Sequence, residues 1–184
     1  MIAIGDFSTE ETLLDPLADT VRQFLRLLVP DDQLRSIKVR GLEELTKFWK
    51  VNHAAYSHVI LIAHGDKDRM TFAADESVTV KEMQSAFENV DGTRKTFISL
   101  SCRTGHEAFG SRFSQSSVCK EFIGPLDDVH GALASQFCQL FFTAHLLEGR
   151  TVKSAISGAR KATVGAKGFR LWCNGKLDED LTDD

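Results

Sequence analysis

The chain has no Cys-x-x-Cys pair, no apolar run approaching bilayer length, no internal repeat and no surplus of positive charge. Each absence closes off a class of function. The four cysteines, Cys102, Cys119, Cys138 and Cys173, stand far apart, which suggests neither a zinc ribbon nor a disulfide framework. Cys102 and His106 have a ligand-like gap, but no second pair backs it, so no metal is expected. With no bilayer-length segment, no membrane partner is expected. The first residues turn acidic at once rather than forming a leader, so the default compartment is cytoplasmic. A net charge of −4 argues against nucleic acid as a partner. Much of the acid lies in residues 178–184, read as a solvated, mobile tail; the body before it is near neutral.

What is present is ordinary globular material: 184 residues, 42% hydrophobic and 26% charged, enough for one domain over residues 1–177. Short apolar runs alternate with helical patterns, which is how an α/β domain reads. Residues 1–7 form a first strand. Ser8 or Thr9 then caps a helix, with Glu10 and Glu11 at its positive end and Leu14, Leu17, Val21 and Leu25 on one face. Residues 34–40 read as an edge strand, and Leu42, Leu45, Phe48 and Trp49 as the next amphipathic helix. Residues 57–65 (SHVILIAHG) and 95–102 (KTFISLSC) read as strands buried on both faces of a parallel sheet.

Between these strands, residues 70–73 and 77–80 read as a hairpin around Asp75 and Glu76. Thr79 and Glu82 form a capping box that opens a short helix, ended by Asp91 and Gly92. Residues 103–117 are rich in Gly, Ser and Thr and are expected to be a mobile loop near the site. A strand over 118–124 follows. Asp127 or Asp128 then caps a long helix carrying Val129, Leu133, Phe137, Phe141 and Leu147. Gly149 stops it, Thr151 opens another helix, and residues 169–173 form the last strand. The architecture expected from this order is one α/β domain of alternating strands and helices.

Each of the two buried strands stops at a reactive residue, His64 in one and Cys102 in the other. Open α/β sheets place their crevice at the carboxyl ends of strands, so parallel neighbours would set these residues across one cleft. The chemistry needs both. A free thiol has a pKa of about 8.5, so little of it is the nucleophilic thiolate at neutral pH. An imidazole beside it takes the proton. Backbone N–H groups must then meet the negative charge on the attacked carbonyl, and those of Gly65 and Cys102 are the candidate oxyanion hole. A plainer reading stands beside this one: Cys102 as an ordinary buried thiol and His64 as a polar strand end. His106 is a rival base. His53, His58, His130 and His145 read as surface or structural.

At these residues the chain resembles the caspase-like cysteine peptidases, and among them the CHAT group related to separase. His64-Gly65 ends one strand. Residues 100–105 (LSCRTG) are close to the group's Leu-Ser-Ala-Cys-x-Thr-Gly. Residues 123–128 (IGPLDD) precede a long helix, and 141–162 (FFTAHLLEGRTVKSAISGARKA) are similar to its Phe-Tyr-x-x-Leu-x-x-Gly segment. The resemblance implies a caspase-hemoglobinase fold, a three-layer sandwich with a mostly parallel central sheet flanked by helices. It implies a His64/Cys102 dyad and hydrolysis of a protein or peptide substrate without metal or organic cofactor. It also implies an acidic S1 pocket for a basic P1 residue, carried to Asp127 and Asp128, with Asp6 a further candidate on geometry. Leu100 stands where metacaspases carry an aspartate, which argues against a calcium requirement. A lone peptidase domain of this kind implies control by a regulatory partner chain and, by association, a regulated-proteolysis or bacterial defence setting. The alternative is a catalytically inactive interaction module.

Overall fold

The structure, a computed structural model, describes residues 1–7, 14–73, 76–88 and 92–181. The expected cap at Ser8 or Thr9 with Glu10 and Glu11, the Asp75 turn, Asp91 and the tail's Asp183 and Asp184 lie outside these. Strand β1 (Ile2–Asp6) is buried along its whole length and leads to helix α1 (Leu14–Leu25), whose first turn accommodates Pro16. Strand β2 (Leu34–Lys38) runs along the sheet's edge, and its mixed exposure fits that place. Helix α2 (Leu42–Asn52) follows, burying Leu45 and Trp49.

The first of the two key runs divides in two. Strand β3 (His58–Ile62) belongs to the main sheet, and after Ala63 the chain turns into β4 (His64–Gly65). β4 pairs with β5 (Arg69–Thr71), which pairs with β6 (Ser77–Thr79), giving a small antiparallel sheet of its own. The expected hairpin is thus present with His64-Gly65 added as a third strand. Helix α3 (Val80–Ala86) opens on the expected box, Thr79 accepting from the Glu82 N–H while Glu82 accepts from the Thr79 N–H.

Strand β7 (Lys95–Ser99) is fully buried. The segment after it is not the mobile loop expected. Residues Glu107–Ser111 make a wide π-type turn running into a short helix, α4 (Arg112–Ser114). Phe109 and Phe113, four residues apart on one side, both sink into the core and pin it. Strand β8 (Cys119–Pro125) comes next. Helix α5 (Gly131–Phe142) is capped by His130, so neither Asp127 nor Asp128 takes the cap position expected of one of them. A π-type turn (Thr143–Leu147) ends it before Gly149, whose φ of +65° suits glycine. Helix α6 (Val152–Ala162) is capped by Thr151. Strands β9 (Phe169–Cys173) and β10 (Lys176–Leu177) finish the sheet.

The main sheet has seven strands in the order β10-β9-β8-β7-β3-β1-β2. β2, β1, β3, β7 and β8 are parallel, while β9 runs antiparallel to β8 and β10 antiparallel to β9. Successive side chains alternate between two cores. Ile4, Ile60, Ile62 and Ile98 meet α1, α5 and α6; Leu61, Phe97 and Phe122 meet α2, α3 and α4. This is a mixed, mostly parallel α/β sheet with helices on both faces. The acidic tail is held at its start, where Lys153 on α6 pairs with Asp178 (2.8 Å) and Asp180 (2.5 Å). No helix of the described residues is long and apolar enough to cross a membrane.

Candidate active site

β3 and β7 are parallel neighbours, with Leu61 opposite Ser99, so their carboxyl ends emerge side by side. The chain leaving β7 is held to β3 by two hydrogen bonds. The Leu100 N–H donates to the Leu61 carbonyl (2.9 Å), and the Ala63 N–H donates to Ser101 Oγ (2.9 Å, buried). A hydroxyl network shapes the turn beyond. Ser99 Oγ accepts from the Ser101 N–H (3.3 Å), and Thr104 Oγ1 bridges Ser99 Oγ (2.7 Å) and the Ser101 carbonyl (2.9 Å). Gly105 packs directly on Gly124, where an added Cβ would meet the Gly124 carbonyl at 2.2 Å. Trp172 Nε1 donates to the Gly105 carbonyl (2.8 Å) from β9. Each residue of the Leu-Ser-Cys-x-Thr-Gly run therefore has a structural task around Cys102.

Gly65 joins the two loops. A Cβ there would sit 2.4 Å from the Cys102 carbonyl oxygen and 2.9 Å from Ser101 Cβ. Glycine is needed because the backbone of the Cys102 turn fills that space. His64 is exposed and Cys102 half-buried, and both line one cleft of about 620 Å³. Leu14, Leu17, Leu100 and Val129 form apolar wall; Thr20, His130, Ser135, Gln136 and Gln139 form the polar part. The Cys102 sulfur lies against one residue of the segment before α5: Sγ accepts the Val129 N–H (3.5 Å), and the thiol donates to the Val129 carbonyl (3.7 Å). Loss of the thiol proton would leave the N–H donor in place for the anion. Among the described residues, the Cys102 N–H donates to no internal acceptor.

Arg103, the residue after Cys102, stands in the left-handed region with φ +59°. That is an uncommon conformation for a side-chain-bearing residue and a local strain of the kind found at functional turns. Its N–H donates to the Asp127 carbonyl (3.2 Å), and its guanidinium reaches Asp128 (2.7 Å) and Asp66 (3.6 Å). These carboxylates, Asp128 first, push the Arg103 pKa further up. One side chain thus ties the loops of His64, Cys102 and Val129 together.

The other expected site residues fall elsewhere. Asp127 and Asp128 are exposed on the segment leading to Val129, outside the cleft lining, and Asp6 is buried at the end of β1, also outside it. His106 is half-buried beyond the Arg103 turn and does not line the cleft. Cys119 and Cys138 are buried, and their thiols are pushed well up by desolvation, as befits inert core positions. His130 does line the cleft, which sequence reading missed. Its only signal was the Asp-Asp-x-His-Gly run before an apolar helix. Among the described residues no cluster of His, Cys, Asp and Glu is arranged to hold a metal. In comparisons with known proteins, no family model and no curated protein sequence matches the chain.

Proposed function

We propose that the protein is a cysteine endopeptidase of caspase-like, CHAT-type design, with Cys102 as nucleophile and His64 as base and then acid. The observation that supports this best is the shared cleft. A half-buried thiol and an exposed imidazole, 38 positions apart, come to its wall from the ends of adjacent parallel strands. In the proposed reaction Cys102 gives its proton to His64, and the sulfur bonds to the carbonyl carbon of a substrate peptide. The Cys102 N–H, with that of Gly65, meets the oxyanion. His64 returns the proton to the departing amine, and water releases the acyl group from sulfur with His64 again as base.

A basic P1 residue belongs to the same proposal. The Arg103 guanidinium already bridges Asp128, on the segment before Val129, and Asp66, just after Gly65, so a guanidinium fits there. A basic substrate side chain would exchange with it at small cost, because ion pairs this exposed are worth about 1 kcal/mol or less. Control by a partner chain completes the proposal. The packing of Phe109 and Phe113 gives such a partner little to order in residues 103–117.

The deciding experiment is peptide cleavage and covalent capture with the full chain. Cys102→Ala and His64→Ala are expected to lower cleavage by at least about a hundred-fold while leaving the thermal midpoint in place. Cleavage at the wild-type rate in Cys102→Ala would remove the proposal. An electrophile with arginine at P1 is expected to label Cys102 faster than one with aspartate, and equal labelling would count against the basic pocket. No labelling by any peptidyl electrophile would leave an interaction module as the reading.

A further inference from the structure

Helix α5 starts on a residue that capping preference does not explain. His130 Nδ1 accepts the Ala132 N–H (3.2 Å). Ser, Asn and Asp cap best, and two aspartates stand just upstream without taking the position. An imidazole is a fragile cap. Protonation would put a hydrogen on the accepting nitrogen and a cation at the positive end of the helix. Something other than capping therefore favours a ring here. With Nδ1 as acceptor, the neutral imidazole carries its proton on Nε2.

His130 is exposed, lines the cleft with His64 and Cys102, and directly follows the residue whose N–H and carbonyl touch the Cys102 sulfur. Two other polar side chains of that wall are turned to their own helices. Thr20 Oγ1 donates to the Pro16 carbonyl (2.7 Å), and Gln139 Nε2 donates to Ser135 Oγ (3.0 Å). Within the described residues the His130 ring is hydrogen-bonded through Nδ1 alone. We propose that His130 is a substrate-positioning residue of the cleft, its Nε2–H donating to a backbone carbonyl of a peptide laid past Cys102. The inference rests on the peptidase reading of the same site.

Capping and substrate contact separate under substitution. His130→Ser keeps a good cap and removes the ring; His130→Ala removes both. The experiment measures the thermal midpoint of the full chain and two labelling rates at Cys102. Iodoacetamide asks only for a reactive thiol, while a peptidyl electrophile with arginine at P1 must also be held in register. The expected result for His130→Ser is a midpoint within about 2 °C of wild type, an unchanged iodoacetamide rate, and peptidyl labelling about ten-fold slower. His130→Asp, another good cap without a donor, should lower the peptidyl-to-iodoacetamide ratio likewise and serves if the serine variant folds poorly. An unchanged ratio would overturn the inference and leave His130 a cap. An equal fall in both rates would overturn it too, placing the effect at the sulfur. A wild-type chain that takes iodoacetamide but no peptidyl probe would defeat the peptidase reading itself, and this inference with it.

Discussion

The close approach at Gly65 is, with that at Gly105, among the tightest requirements the site places on a single residue. With the Cys102 carbonyl 2.4 Å from where a Cβ would stand, Gly65→Ala forces that Cβ against backbone, which no rotamer change relieves. A destabilisation of about 1–3 kcal/mol is expected, with slower labelling of Cys102, because the loop that yields is its own. A denaturant midpoint equal to wild type would show that the two loops are less tightly joined. At the start of β3, His58 is packed against Phe142 and His145, and burial pushes its pKa down to about 4. His145, the terminal amino group and Lys120 add to that depression. The native ring is therefore neutral where an unfolded one, near pH 6.5, begins to take up a proton. Stability from this residue is complete above about pH 6.5 and is lost as pH falls towards 4, by at most about 3 kcal/mol. His58→Gln should flatten urea midpoints across that window, and an unchanged slope would assign the acid sensitivity elsewhere.

Elements differ in how far their local sequence announces them. The buried runs at β3 and β7, the Thr79 capping box and the Thr151 cap were readable because each rests on contacts within a few residues or on strict side-chain alternation. Placing His64 and Cys102 together needed only that those two strands be parallel neighbours, which they are. What escaped reading depends on contacts across the fold. Residues 103–117 look loop-like by composition, yet Phe109 and Phe113 stack with each other at 5.9 Å and meet Phe122, while Gly110 lies under Trp172 from β9. Likewise, Asp127 and Asp128 carried a clear capping signal, but the chain turns into α5 later and Arg103 takes Asp128 instead. Phe113→Ala is expected to cost about 3–5 kcal/mol, the large end for a core truncation. It should also make the bond after Arg112 accessible to trypsin in the native state, because the aromatic anchor of that segment is gone. Resistance to trypsin equal to wild type would mean that Phe109 alone holds it.

The molecule as a whole is one sheet shared by two cores, and that arrangement predicts how it comes apart. Every central strand contributes side chains to both faces, Leu61 to one and Ile60 and Ile62 to the other, so neither core can open without breaking strands the other needs. A single cooperative transition is therefore expected despite the separation of the two helical layers. Nature has placed a probe on each side. Both tryptophans, Trp49 and Trp172, are buried on the α2 and α3 face, while Cys138 of α5 is 1% exposed in the opposite core, its thiol pushed up by desolvation and inert until released. Tryptophan fluorescence and alkylation of Cys138, read by peptide mass after a brief pulse at each urea concentration, should share one midpoint. Alkylation at clearly lower urea than the fluorescence change would mean that α1, α5 and α6 peel from the sheet first. The wall of the Cys102 cleft formed by α1 and α5 would then be the less stable half of the site.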